Sequence, residues 1–330
     1  MRAQRGLAQS AVAILAMSAI LSHFEGCLVG AMIGDSLGSC VENVSTKLVA
    51  HRFPSDQELM ALRPGAYGST TEMTAALAES LADAPEFDGE NFAQRLLAHW
   101  HEARGYGQGT SLSLSRLKAG VAWQEAGAAQ AGRGSYGNAA AARSAPVGLV
   151  HREDVATLRW VAEEAAGLTH THAHGVEGAV VFALGVAIAL DARGGDLDPL
   201  GFFETIAGEV QVREFRSHLE IAASLSGRAV PGAVVARLGN NQTALGSVVT
   251  ALLCFADHAS SFADAAVAAL RLGGNASAIA AMTLALSGAH LGIEMIPPAW
   301  IDGLEDGEIS PATMRGIAAT LENGDRSLSP

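Results

Sequence analysis

In the stretch GSTTEMTAALAESL, residues 68–81, Met73, Leu77 and Leu81 recur at helical spacing, with Ala76 and Ala84 on the same side. That period constrains the chain more than any other feature, because it returns along most of its 330 residues. Helices are predicted near 26–34, 71–83, 89–102, 110–127, 155–167, 176–192, 200–210, 213–225, 243–257, 262–271 and 277–291. Alanine is frequent, aromatic residues make up only 5%, and the alternating β-branched runs of strands are scarce. Glycine clusters punctuate the helices: RGYGQG at 104–109, GRGSYGN at 132–138, ARGG at 192–195 and LGGN at 272–275. The segment VVFALGVAIAL is apolar enough for a buried strand, but its length and its Ala and Gly content favour a buried helix. No Pro/Ser-rich linker divides the chain and no fixed repeat is present, so a single all-α domain is expected.

Composition narrows the function. Hydrophobic residues at 49% against 17% charged describe a packed globule. A net charge of −13 repels nucleic-acid backbones and anionic lipid, so neither a nucleic acid nor a membrane is an expected partner. Cys27, Cys40 and Cys254 sit in apolar sequence surroundings, with no C-x-x-C pair and no Cys/His zinc spacing. This sparse, odd count argues against a disulfide framework and fits a reducing cytoplasm. The opening MRAQRGLAQSAVAILAMSAIL has basic residues and then an apolar run, as a signal peptide does, but no small-x-small site clearly follows. The run is too short to cross a membrane comfortably. Residues 1–23 are expected to be a cytosolic extension or a helix leading into the first core helix, with Met17 an alternative start, and the domain itself to span 24–330.

Three short stretches carry possible chemistry. GDSLG, Gly34 to Gly38, matches the G-x-S-x-G nucleophile elbow, which needs a strand-to-helix turn; its flanks are helical here, which argues against Ser36 as a nucleophile. In THTHAH, His170, His172 and His174 would share one face of a strand, as zinc ligands can. In a helical chain the same segment is a loop before a helix, where capping, packing or one histidine lining a polar pocket is expected instead. GSYGN at 134–138 offers successive unhindered backbone N–H groups, suited to phosphate or ribose, and RGYGQGT adds Tyr106; either is also an ordinary turn between helices.

Taken in order, these stretches resemble the ADP-ribosylglycohydrolase family. EGCLVGAMIGDSLGSCVE (25–42) is similar to the family's opening helix and acidic loop. GSTTEMTAALAESL falls where the family usually has Thr-Asp-Asp-Thr-x-Met. RGYGQGT and GRGSYGNAAAARSAPVGL (132–149) resemble its central loops, and LTHTHAHGVEGAVVFALGVAIAL (168–190) the helix that follows. RLGGNASAIAAMTLALSGAHLGIEMIPPAW (271–300) resembles its terminal signature, usually Gly-Gly-Asp-x-Asp-Thr-x-Ala. The resemblance covers about Glu25 to Leu304 and implies a compact, single-domain orthogonal bundle of helices that binds a small nucleotide or sugar-phosphate. It also implies roles: Glu42 and Asp35 in catalysis, Ser135, Tyr136, Gly137 and Asn138 against ribose and phosphates, and His170 or His172 as the pocket histidine. Asp35 has a second reading as a buried carboxylate bonded to helix N–H groups, and Glu42 as a solvated loop acid.

Family members hold two Mg²⁺ ions with carboxylates from two helix starts. This sequence departs there, with Gly68, Ser69 and Thr70 at one start and Asn275, Ser277 and Ala278 at the other. Neutral hydroxyls and an amide are poor substitutes for anionic oxygens around a hard dication. The expectation is therefore no metal cofactor. Ser69 and Glu72 have the spacing of a capping box, and Asn275 can cap its own helix. Two readings of function remain open. In one, Glu42 and Asp35 hydrolyse an N-glycosidic bond in an ADP-ribosyl, NAD-derived or nucleoside-type substrate without metal. Ser69, Thr70, Asn275 and Ser277 then orient the ribose. In the other, the chain is a pseudoenzyme that only binds ADP-ribose or a related nucleotide.

Overall fold

The computed structural model describes residues 2–84, 86–129 and 134–328, and for 2–19 and 325–328 the backbone alone. Gly132 of the GRGSYGN loop lies outside the described residues. Twelve helices of nine or more residues account for most of the chain. They are α1 (Arg2–Ser39), α2 (Ser69–Asp83), α3 (Gly89–His99), α4 (Gln108–Lys118), α5 (Val155–Gly167) and α6 (Ala173–Asp191). Then follow α7 (Pro199–Glu209), α8 (Arg213–Leu225), α9 (Val248–Ala256), α10 (Phe262–Leu272), α11 (Ala276–Leu291) and α12 (Pro311–Leu328). Among the described residues the only β-type pairing is one antiparallel bridge between Gly137 and Thr243. The architecture is all-α, as the periodicity predicts.

The centre of the molecule is the pair α1 and α11. Gly26, Gly30, Gly34 and Gly38 recur every fourth residue of α1, which places them on one helix face. They meet the backbone of Gly288, Leu284, Ala280 and Ala276, so the helices run antiparallel with a fixed four-residue register. A Cβ on any of the four would overlap that facing backbone. The absent side chains are what let the two backbones touch. From Ala278 to His290, α11 is buried throughout, and α9 is buried along its whole length. Such helices carry no polar stripe because they have no solvent face. Helix α6 contains VVFALGVAIAL and is long and apolar enough to cross a membrane by composition. It lies in the protein core, with 78% of its most apolar window buried.

Several boundaries differ from the periodic reading, each for a local reason. The stretch 110–127 is broken where Gly120 adopts φ 84°, ending α4. Helix α3 stops at His99 because the next residues turn extended and the His101 N–H donates to the Glu72 carboxylate instead. The start of 243–257 is a turn, in which Asn241 Oδ1 accepts from the Thr243 N–H and hydroxyl. Helix α12 was not predicted, although Met314, Ala318 and Leu321 form its buried stripe and Ser310 accepts from the Thr313 N–H at its start. Cys27 and Cys254 are buried and Cys40 is exposed, all as free thiols.

The α1–α11 contact yields a direct test. Gly30→Ala is expected to destabilise the protein by about 1–3 kcal/mol in urea unfolding, because a methyl group has nowhere to go. Gly208→Ala, in α7 with open space around it, should be neutral or stabilise by up to about 1 kcal/mol. Equal effects at the two sites would contradict the backbone-contact reading.

Candidate functional site

The antiparallel register brings the last turn of α1 beside the first turn of α11. Asp35 lies in that last turn and Glu42 in the loop that follows. Each carboxylate closes the N-terminus of a different helix. Asp35 Oδ2 accepts from the Gly68 N–H at 2.8 Å, the Thr71 N–H at 3.0 Å and the Thr71 hydroxyl at 2.8 Å. Gly68 is the N-cap of α2, and a Cβ there would come within 2.8 Å of Asp35 Oδ1. Glu42 Oε2 accepts from the Ser277 N–H at 2.8 Å, and its Oε1 accepts from the Asn275 amide at 2.7 Å. Free backbone donors of both helix starts, Thr71 N–H in α2 and Ser277 N–H in α11, are therefore answered by anions from elsewhere in the chain, where the helix dipole favours negative charge.

This arrangement corrects the capping expectation. Ser69 is the first residue of α2 and makes no side-chain cap. Glu72 does not reach back to Ser69. Its buried carboxylate accepts from His101 Nδ1 at 2.7 Å and from the Tyr106 hydroxyl at 2.6 Å. The helix begins one residue earlier than that box requires, with Gly68 as its N-cap, and Asp35 binds the Gly68 and Thr71 N–H groups. Asn275 does occupy the N-cap position of α11 but makes no side-chain cap; its amide bridges Glu42 and the Asn138 amide, which donates to Asn275 Oδ1 at 2.7 Å. The chain reaches that position through Gly273 and Gly274, both at positive φ. There Gly274 N–H donates to Val44 O and Asn275 N–H to Asn240 O.

Around these two helix starts lies a cleft of about 1560 Å³. Its walls include Asp35, Glu42, Ser69, Thr70, Ser135, Tyr136, Gly137, Asn138, His170, Asn275 and Ser277, so most of the predicted site residues converge. Two do not reach it. Tyr106 turns inward to Glu72. His172 is the N-cap of α6, its Nδ1 accepting from the His174 N–H, and its ring meets Tyr136 edge-on at 5.7 Å. Of the alternatives in THTHAH, His170 is the pocket histidine: it is 1% exposed and its Nδ1 bonds Thr169 Oγ1 at 2.7 Å. Burial, with the charge of the buried Arg143 adding, pushes it down to about 3, so it is neutral at pH 7. Arg143 reaches the same Thr169 oxygen at 2.8 Å. Ser36 lies inside helix α1 and accepts from the Gly65 N–H, so GDSLG forms no nucleophile elbow.

One wall was missed at the level of sequence. Residues Asn240 to Thr243 line the cleft and pair with the glycine loop, Asn138 N–H donating to Gln242 O and Ala244 N–H to Tyr136 O, each at 3.0 Å. The polar run GNNQT was its only signal.

The residues present do not fit a pair of dications. Mg²⁺ takes near-octahedral oxygen donors, and the two helix starts present hydroxyls and an amide to the cleft, while Glu72 in the first turn of α2 is held by His101 and Tyr106. The two carboxylates at hand already accept from five N–H and O–H donors. Among the described residues no group of three or more His, Cys, Asp and Glu is placed to hold a metal ion.

Asp35 gives the site a pH signature. Burial raises its carboxyl from 3.8 to about 6, with a smaller push from Glu42, against the lowering effect of the Thr71 and Gly68 bonds. The folded chain thus holds this proton more tightly than the unfolded chain. Its stabilising contribution is complete below about pH 4 and is lost as pH rises through about 6. Over that window the wild type should lose about 3 kcal/mol relative to Asp35→Asn, measured by urea unfolding at each pH. A flat or opposite difference would contradict the placement of Asp35.

Comparison with known proteins matches this architecture throughout. The sequence profile of the ADP-ribosylglycohydrolase family matches residues 16–327. The ADP-ribosylhydrolase ARH3 of Mus musculus is 30% identical over 342 residues, covering 90% of this chain and 92% of its own length. A protein of Archaeoglobus fulgidus is 32% identical, covering 86% of this chain and 92% of its own. A solved chain titled "ADP-ribosylglycohydrolase-related protein complex" superposes with a TM-score of 0.71 at 25% identity, covering 92% of this chain and 98% of that one. The glycine-locked helix pair, the loops around the cleft and these likenesses over nearly the full length agree: the chain belongs to the ADP-ribosylglycohydrolase family.

Proposed function

We propose that this protein hydrolyses an N-glycosidic bond in an ADP-ribosyl, NAD-derived or nucleoside-type substrate, and does so without a divalent metal. Membership of a family whose relatives are named ADP-ribosylhydrolases supports a hydrolase of ADP-ribosyl linkages. The observation that carries the finer reading is the convergence of Asp35, Glu42 and the neutral side chains of two helix starts, Ser69, Thr70, Asn275 and Ser277, on one cleft. Cleavage at the anomeric carbon passes through an oxocarbenium-like state, which nearby carboxylates stabilise. Glu42 takes the proton of the attacking water, and Asp35, anchored by α2, adds its negative charge. Ser69 and Thr70 from one helix, and Asn275 and Ser277 from the other, hydrogen-bond the ribose hydroxyls. Neutral donors stabilise developing charge less than a dication does, so turnover is slow or the substrate is activated.

A second reading has its own observation. Both oxygens of Glu42 already accept hydrogen bonds, which suits a fixed wall of a binding pocket. In that case the protein is a pseudoenzyme that holds ADP-ribose or a related nucleotide.

Product formation from NAD and from ADP-ribosyl-arginine, measured in EDTA, separates the two. The hydrolase reading expects turnover that survives the chelator and is lost in Glu42→Gln, by roughly 100-fold or more for a general base. Activity that vanishes in EDTA sinks the metal-free mechanism. A rise in Tm with ADP-ribose and no turnover of any compound supports the pseudoenzyme.

A further inference from the structure

We infer that the cleft selects N-glycosides whose glycosidic nitrogen is positively charged, ribosides of the pyridinium type, over ribosides of neutral nitrogen; this rests on the hydrolase reading above. Two independent lines lead there, one from the charges that face the cleft and one from the protons it lacks.

Among the described residues, three charged side chains line the cleft: Asp35, Glu42 and Arg104. The cation is already engaged. Arg104 Nη1 donates to Glu305 Oε1 at 2.6 Å and to Tyr67 O at 3.0 Å, its Nε lies 3.8 Å from Glu72, and its guanidinium covers the Tyr67 ring. Among the described residues the two anions have no such partner. Every hydrogen bond described for Asp35 and Glu42 comes from a neutral N–H or O–H, and neither forms an ion pair among the described residues. His170 adds no positive charge, being neutral. Among the described residues the floor of the cleft therefore carries two negative charges at fixed positions with no cation paired to them, where a cationic ligand is favoured. A metal would answer the same charges, but the donors present do not fit a pair of dications.

The second line concerns the leaving group. A neutral N-glycoside must be protonated at nitrogen as the bond breaks, and that requires an acid aimed at it. Above about pH 6 Asp35 has given up its proton, and both oxygens of Glu42 accept hydrogen bonds, so neither presents an acid to the leaving group there. Tyr106 donates its hydroxyl proton to Glu72, away from the cleft. A pyridinium riboside needs no acid. The C1′–N bond breaks with its electron pair passing to the ring nitrogen, which leaves as a neutral, weakly basic amine. The water oxygen bonds C1′, and its proton goes to Glu42 and from there to solvent. Charge and atoms balance with water as the sole co-reactant.

The test uses the full chain in EDTA with four ribosides. Nicotinamide riboside and NAD carry the pyridinium cation; dihydronicotinamide riboside and NADH match them in outline but are neutral at that nitrogen. If each carboxylate contributes about tenfold to recognition of an opposite charge, kcat/KM for a pyridinium compound should exceed that of its neutral partner by about 100-fold. Asp35→Asn and Glu42→Gln, read by Tm shifts with the intact ribosides, should each narrow the difference in binding between the two forms. Comparable hydrolysis of neutral and cationic members overturns the charge selection while the hydrolase reading stands. No turnover of any riboside or of ADP-ribosyl-arginine overturns the hydrolase reading instead. Tm then reports charge selection alone: greater stabilisation by nicotinamide riboside keeps it, and equal stabilisation overturns it.

Discussion

Direct contact between the backbones of α1 and α11 is the constraint on which the site depends. Four glycines on α1, at 26, 30, 34 and 38, let the two helices approach until no Cβ fits between them. Because the register is fixed and antiparallel, the end of α1 and the start of α11 are held together. Asp35 is thereby presented to α2, and Glu42 to α11. A shift of one turn along the pair would carry both carboxylates about 5.4 Å away from the helix starts they close. The same glycine stripe that builds the core therefore also aims the two carboxylates.

The two carboxylates show how a fold can close helix starts with acids from elsewhere in the chain. An isolated helix start needs acceptors for its free N–H groups, and here α1 and its following loop supply them. A helix cap contributes about 1 kcal/mol, while burying a carboxylate costs more than that unless several donors answer it. Asp35 collects three such donors and still sits with its carboxyl raised to about 6. The burial of Asp35 is thus only partly offset by its hydrogen bonds. Asn275 links the arrangement to the glycine loop, since it holds Glu42 with its nitrogen and Asn138 with its oxygen.

Much of this was legible in the sequence, and the reasons are local. Period and alanine content revealed the helices, including VVFALGVAIAL, because a buried helix keeps its length and small residues even without an amphipathic face. The ordered glycine loops pointed to the cleft, and most of the residues chosen from them line it. The alternative role for Asp35, a buried carboxylate on helix N–H groups, is the contact the structure shows. What failed were inferences from sequence neighbours where a distant partner prevailed. Ser69 and Glu72 have capping-box spacing, yet Asp35 arrives from 34 residues upstream of Ser69 and Glu72 is drawn to His101 and Tyr106. Tyr106 faces inward for the same reason. The Asn240–Thr243 wall announces itself only as a polar turn, and its place opposite Gly137 depends on tertiary pairing.

The central claim is that Asp35 and Glu42 act directly on the two helix starts, with no dication between them. Anomalous diffraction from crystals of the protein grown in excess Mn²⁺ tests it most directly, since manganese takes the same oxygen donors as magnesium. The account predicts no manganese peak between α2 and α11, with Glu42 still accepting from the Ser277 N–H and Asp35 from the Thr71 N–H. A manganese ion coordinated by either carboxylate, with those N–H bonds broken, would contradict it.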